Sequence, residues 1–383
     1  MKYLLAGLTL ACLVTAAHGE HVTAQTQAEG KGALRMNQIQ VIGTHNSYHA
    51  GIAKSEAEIW KKSDPDGFRS LEYHHAPLDA QFDSGVRQIE LDVFADTKGG
   101  RYAHPAGPRL VAKEGLPADP PWDPSGVLLR PGFKVMHVPD VDYRSTCLTF
   151  VGCLEIVRSW SEAHPNHVPI FILVETKQTP DKSPNTPITV PEKFTAKTMD
   201  ALDAEIRSVF HREEMITPDD VRGKRRTLEE AVRQDGWPTL ESARGKVVFL
   251  LDQKDVSADY LRGHPSLRGR VLFTNSDPGH PDAAFVERND GTPKEIAALV
   301  RQGYLVRTRT DIPTEDARTN STKRRDAALS SGAQLLSTDY PASEPAVWTG
   351  YHVALPGGVV ARCNPVIVET KGCAIYEAAA AQK

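Results

Sequence analysis

The sequence predicts an α/β protein, a distorted TIM (β/α)8 barrel in a single domain with a C-terminal appendage. Three observations carry this. Eight short apolar runs recur along the chain, several apolar at every position, as parallel strands covered on both faces are. Helical periods separate many of them, the alternation of a parallel sheet. Nearly every run also ends in ionisable groups, and in a barrel all strand ends meet at one face. A doubly wound open sheet is the competing architecture.

The first run, "IQVIGTH" (39–45), opens with the β-formers Val41 and Ile42. Gly43 then frees the backbone before the polar stretch from His45 to His49. The second, "RQIELDVF" (87–94), carries Glu90 and Asp92, two apart and therefore on one face. Residues 95–132 break the pattern, with seven prolines and no helical period, and read as a long functional loop over the barrel mouth. The third run, "FKVMHV" (133–138), reaches His137. Phe150, Leu154, Val157 and Trp160 then mark a helix before "PIFILVETK" (169–177), which ends in Glu175 and Lys177. Met199, Leu202, Ile206 and Val209 mark the next helix. "KVVFLLDQ" (246–253) carries Asp252, and "RVLFTN" (270–275) is the sixth run. Ile296, Leu299 and Val300 mark a helix before "LVRTRTD" (305–311), with Arg307 and Arg309. Ala327, Ala328 and Leu329, closed by Gly332 at a C-cap position, precede "AQLLSTDYP" (333–341) with Asp339.

The 383 residues are 40% hydrophobic and 25% charged, an ordinary globular balance with room for one large domain. A formal net charge of −4 and the lack of a basic stripe argue against a nucleic-acid partner. The first twenty residues, "MKYLLAGLTLACLVTAAHGE", place Lys2 before an apolar run too short to span a bilayer, then small residues. That pattern predicts a signal peptide over 1–19 and a secreted or periplasmic protein. Cys147, Cys153, Cys363 and Cys373 remain once it is removed, and an even number in an exported chain favours disulfides. Of three possible pairings the local ones, 147–153 and 363–373, are preferred. The barrel is expected over 31–345, and 346–383 as an extension closed by the second pair.

Sorted by chemistry, Asn46, Glu90, Asp92 and Glu175 offer only oxygen ligands, the preference of Ca2+, with Mg2+ the lesser alternative. Zinc would favour histidine or cysteine. His45 and His137 are free to move protons near neutral pH. Lys177, Arg307 and Arg309 suit an anionic group, phosphate foremost, and Asp252 joins them as a substrate-side candidate. Two histidines, a hard cation and basic groups make a phosphodiester-cleaving site. Blander roles compete: surface carboxylates for Glu90 and Asp92, a core histidine for His137, salt bridges for Lys177 and Arg309, a turn cap for Asp339. His49, His74, His75 and His104 read as loop histidines, and Ser47 lacks the G-x-S-x-G setting of a nucleophile. Tyr102, Leu110, Val111, Leu116 and Trp122 are the loop residues that could touch lipid.

At these residues the sequence resembles the phosphatidylinositol-specific phospholipase C superfamily, and within it the calcium-dependent secreted bacterial branch. The motifs are "IGTHNSYH", "PLDAQFDSGVRQIELDVFAD", "FKVMHVPDVDY", "CLEIVRSWSEAHPNHVPIFILVETK" and "LSTDYP", and the likeness covers most of residues 36–345. It implies a distorted TIM barrel, catalytic His45 and His137, and calcium ligands Asn46, Glu90, Asp92 and Glu175. It also implies attack by the inositol 2-OH on a phosphatidylinositol-type lipid, giving diacylglycerol and inositol cyclic phosphate. In eukaryotic members the second histidine follows Glu-x-Asp closely, whereas here the Pro-rich insertion intervenes. By spacing His104 competes for that role; by strand context His137 is preferred. "LLSTDYP" and Glu175-x-Lys177 also resemble the glycerophosphodiester phosphodiesterases, which would hydrolyse a soluble phosphodiester with external water. A non-catalytic binding barrel is the third reading, and the intact histidines and Glu-x-Asp pair argue against it. The expected partner is a phospholipid or other phosphodiester, met in transient contact with a membrane surface by a monomer.

Overall fold

The computed structural model describes residues 33–180, 186, 188–369, 373–375 and 377; the expected signal peptide lies outside them. In chain order the strands are β1 (Ile39–Thr44), β2 (Gln88–Phe94), β3 (Lys134–Val135), β4 (Ile170–Thr176), β5 (Val247–Leu251), β6 (Leu272–Thr274), β7 (Phe285–Glu287), β8 (Leu305–Arg309), β9 (Leu335–Thr338) and β10 (Ala361–Cys363). Eight of them form a parallel wall in the order β6-β5-β4-β2-β1-β9-β8-β7, and a bridge from Asn275 to Phe285 nearly closes it into a barrel. Runs such as Val247–Leu251 are buried at every position because side chains fill the barrel on one side and helices cover the other. The helices forecast from periodicity form as expected. Those after β3 and β4 span Phe150–Ala163 and Ala196–Val209, and the Thr149 and Thr195 hydroxyls accept from backbone amides at their N-termini.

Two expectations about strands are corrected. The third predicted run is not a barrel strand: β3 turns back antiparallel along the end of β2, pairing Val93 with Val135 and Phe94 with Lys134. The barrel place beside β2 belongs to β4, registered with it over six residues from Gln88↔Phe171 to Val93↔Thr176. The eighth barrel strand is instead β7, three residues long, too short to show a period of two. Gly43 does not free the backbone either, since β1 continues through Thr44. Gly43 is the single residue of β1 registered with β2, opposite Gln88, and a Cβ there would sit 2.0 Å from the Gln88 Oε1. Its role is close approach. Gly43→Ala is expected to destabilise the protein by about 1–3 kcal/mol through overpacking at this seam. A lower urea midpoint at unchanged slope would show it.

The Pro-rich insertion is also built differently from the open loop expected. It contains a helix, Ala106–Lys113, and its Tyr102, Ala103 and Leu128 form a small core with Phe94, Met136 and Tyr143, against which Trp122 and Leu148 pack. Tyr102 and Val111 are buried, so they form no lipid-facing patch. The short seam leaves the start of β1 free towards β2, and β10 covers it antiparallel through Ile39↔Cys363 to Val41↔Ala361. Both expected disulfides are present, Cys147–Cys153 and Cys363–Cys373.

Candidate active site and metal centre

The C-terminal ends of the barrel strands bring the candidate residues together. β1 delivers His45 and then Asn46, whose φ of +45° turns the chain sharply at the mouth. Asparagine tolerates this left-handed geometry better than most side chains. The turn is pinned to β2: the Ser47 amide donates to the Glu90 carbonyl at 3.0 Å, and the Glu90 amide donates to Ser47 Oγ at 2.8 Å. Ser47 is thereby a structural tie.

His45 points Nδ1 at Asp339, 2.8 Å away, at the end of β9. Asp339 also accepts from Arg309 Nη2 at 2.8 Å, and Arg309 pairs in turn with Asp311 at 2.9 Å. Burial and then the Arg309 guanidinium lower the His45 pKa to about 3 against the pull of Asp339, so the ring is neutral at working pH. Burial opposes ionisation of Asp339, yet Arg309 and His45 outweigh it and hold this carboxyl well below the usual range. A neutral imidazole that gives Nδ1–H to a carboxylate keeps a bare Nε2. That atom lies 3.5 Å from Glu90 Oε1.

Among the described residues, Glu90, Asp92 and Glu175 place carboxylate oxygens within 4.8 Å of one another. The register explains this: Asp92 stands opposite Glu175 across β2 and β4, and Glu90 shares its face. Arg307 pairs with Glu90, while Lys177 reaches Asp92 at 3.0 Å and Glu175 at 2.8 Å. Burial raises Glu90 to about 7, and burial followed by the Glu175 charge pushes Asp92 well above the normal range. Glu175 goes the other way, because Lys177 overcomes its burial. Asn46 Oδ1 and Asp92 Oδ1 are buried and find no hydrogen-bond partner among the described residues. Buried oxygens left unsatisfied beside a crowded set of carboxylates fit a hard cation.

The second imidazole arrives from the segment after β3, not from a barrel strand. His137 follows β3 and gives Nδ1–H to Asp142 Oδ2 at 2.8 Å, while Asp142 Oδ1 accepts from the buried His49 Nε2 at 2.8 Å. Burial lowers the His49 pKa, but Asp142 outweighs it and the net shift is upward; Asp142 is held down correspondingly by His49 and His137. Each imidazole is thus backed by a buried aspartate whose other oxygen faces a buried basic group, Arg309 or His49. Both rings also lie near Glu175. His104 is exposed and makes no side-chain hydrogen bond among the described residues.

Both terminal nitrogens of Arg307 are committed, to Glu90, to Glu287 at 3.1 Å, to Asn289 at 2.6 Å and to Ser337 at 3.0 Å. Asp252 stands at the end of β5, where burial and then Glu287 raise its pKa to about 11, so it holds a proton at neutral pH. Asp142, His49, Asp311 and Tyr73, whose hydroxyl accepts from Asn46 Nδ2 at 2.9 Å, were not legible as site residues. Asp142 stands in the quoted "HVPDVDY", five residues after His137, and that proximity was the one available signal. His49, read as a loop histidine, is instead a buried member of the network. Asp339 is the partner of His45 and not merely a turn cap.

A family model described as phosphoinositide phospholipase C, Ca2+-dependent, matches residues 34–365. The structure is similar to the calcium-dependent phosphoinositol-specific phospholipase C of a Pseudomonas species, with TM-score 0.51 and 16% identity over 86% of this chain and 96% of that one. It is similar as well to the Ca2+-dependent phosphatidylinositol-specific phospholipase C of Streptomyces antibioticus, with TM-score 0.51 and 20% identity over 80% of this chain and 95% of that one. At such identities these two likenesses bear on the fold. No curated protein matches the chain. The family match over most of the length, on a barrel with this mouth, means that the chain is a phosphodiesterase-class enzyme belonging to the Ca2+-dependent phosphoinositide phospholipase C family.

Proposed function

We propose that the enzyme cleaves phosphatidylinositol-type phosphodiesters by attack of the neighbouring inositol 2-OH, releasing diacylglycerol and an inositol cyclic phosphate. One observation carries the reading: two imidazoles, each held through Nδ1 by its own buried aspartate, flank one cluster of carboxylates. His45, neutral with a bare Nε2, takes the proton of the attacking hydroxyl. His137 gives a proton to the leaving alcohol, and Asp142 holds its ring in place through Nδ1. The nucleophile is tethered to the reacting phosphorus, so proximity contributes much of the acceleration.

Asn46, Glu90, Asp92 and Glu175 would hold the calcium ion, which when bound neutralises phosphoryl oxygens and lowers the pKa of a coordinated hydroxyl. Lys177 is assigned to the phosphate oxygens. Arg307 and Arg309 act through the carboxylates they hold, orienting Glu90 and Asp339. Asp252, kept protonated, can donate a hydrogen bond to a head-group hydroxyl.

The test is phosphatidylinositol with calcium or with a chelator, followed by phosphorus NMR. A calcium-requiring cyclic phosphate signal is expected. A linear product from the start, with no cyclic species, would favour hydrolysis by external water as in the glycerophosphodiester phosphodiesterases. Asp142→Asn is expected to lower kcat about 10²-fold with little change in KM, since it removes the charge behind His137 and not a substrate contact. Partial recovery in Asp142→Glu, together with an alkaline limb of the pH profile that moves to lower pH in Asp142→Asn, separates this role from a loss of folding.

A further inference from the structure

A pocket of about 170 Å³ opens beside His137. Most of its wall is hydrocarbon, from Trp60, Phe68, Leu71, Val138 and Val141. Trp60, Phe68 and Val141 form a separate small core, so this is a notch in a built apolar cluster. The one other ionisable group among the described lining residues is Asp64, whose carboxylate accepts from the Gly67 amide at 3.0 Å as the cap of the helix Pro65–Ser70. Ser70, whose hydroxyl donates to the Gly67 carbonyl at 2.7 Å, is the other polar side chain among the described lining residues; against the hydrocarbon of the rest of the wall a polar guest finds little compensation, whereas hydrocarbon gains by leaving water. A wider cleft of about 640 Å³ shares Ile52, Phe68 and Leu71 with the notch and reaches Asp339, the partner of His45. The exposed Val347 and Trp348 line the same cleft. The notch and the cleft thus share apolar residues between His137 and the support of His45, with Glu72, His74 and Glu344 also lining the cleft.

We propose that the notch beside His137 receives the hydrocarbon attached to the leaving oxygen, so that the enzyme grips a short alkyl segment of one substrate molecule at the bond it breaks. A group that protonates the leaving oxygen must lie within hydrogen-bond reach of it, so the carbon chain on that oxygen begins at the mouth of the notch. At roughly 30 Å³ for each water-sized group, the notch holds about five methylene groups. The kinetic consequence rests on the phosphodiesterase reading; the binding consequence does not.

The experiment uses soluble inositol phosphodiesters with methyl, butyl, hexyl and octyl leaving groups, all below micelle-forming concentration, with calcium present. The ratio kcat/KM is expected to rise about three- to fourfold per methylene until the notch is full near five carbons, then level off. Leu71 is half-buried at the end of its helix and can be replaced in two ways. Leu71→Trp fills the notch and Leu71→Asp places a charge in it; both are expected to flatten the chain-length profile. A flat profile in the parent enzyme, or the same slope in parent and both variants, overturns the proposal. Octyl phosphocholine below its micelle concentration, titrated calorimetrically, supplies an arm that needs no turnover. Binding weakened at least tenfold by both substitutions supports the notch even if no diester is cleaved, in which case the proposed reaction fails alone. No binding to the parent enzyme, or equal binding to all three proteins, overturns the notch.

Discussion

Replacing His45 with alanine is expected to lower kcat/KM by about 10³-fold or more while leaving the fold intact, the upper part of the range for losing a positioned acid or base. The ring touches Asp339 and approaches Glu90, but Asp339 keeps its ion pair with Arg309 when the ring is gone. No charge is stranded in the interior, so the melting temperature should move little. Asp339→Asn is the informative companion. It keeps the shape but no longer selects the Nδ1–H tautomer, and it removes one of the two carboxylates around Arg309, leaving Asp311. Its loss of activity should approach that of His45→Ala, and the double variant should be scarcely worse than either, as expected for groups that act as one unit. Independent, multiplying losses would contradict the pairing.

Asp92→Asn is expected to weaken calcium binding about 10²-fold by removing a ligand charge, and activity should fall with it and recover in part at higher calcium. The protonation of the cluster gives this a pH signature. Without a cation, burial holds Glu90 near 7, and burial with the Glu175 charge pushes Asp92 up. A cation needs both as carboxylates, so binding releases protons and affinity rises with pH. The sign follows from the free protein, which binds the extra protons at low pH and thereby competes with calcium. Glu90 alone, at about 7, should weaken binding about fifty-fold between pH 7 and pH 5, and Asp92 steepens the trend. Titration calorimetry in two buffers of different ionisation heat counts the protons. An affinity independent of pH, with no buffer-dependent heat, would rule this out.

How much of this was legible depends on how local the signal is. Glu90 and Asp92, and Glu175 and Lys177, declare a shared face through a spacing of two, and the structure places all four around one centre. The helices of 150–163 and 196–209 show in their apolar positions alone. The insertion was less readable, because its core depends on Phe94 and Met136 meeting Tyr102 and Leu128 across the segment. Nothing in "FKVMH" distinguishes a barrel strand from a strand that turns back on β2, since the pairing partner sets its direction.

By itself, then, the sequence determined the barrel class, the oxygen-rich and basic strand ends, and both disulfides, each written in periodicity, residue type or short spacing. Only the tertiary structure decided that β7 completes the wall while β3 leaves it, and that His45 rests on Asp339, 294 residues away. Nor could spacing place Asp142 between His49 and His137. The physical reason is common to these cases. A hydrogen bond or ion pair between distant segments needs only two polar groups and a fold that brings them together, and neither group carries a local mark of its partner.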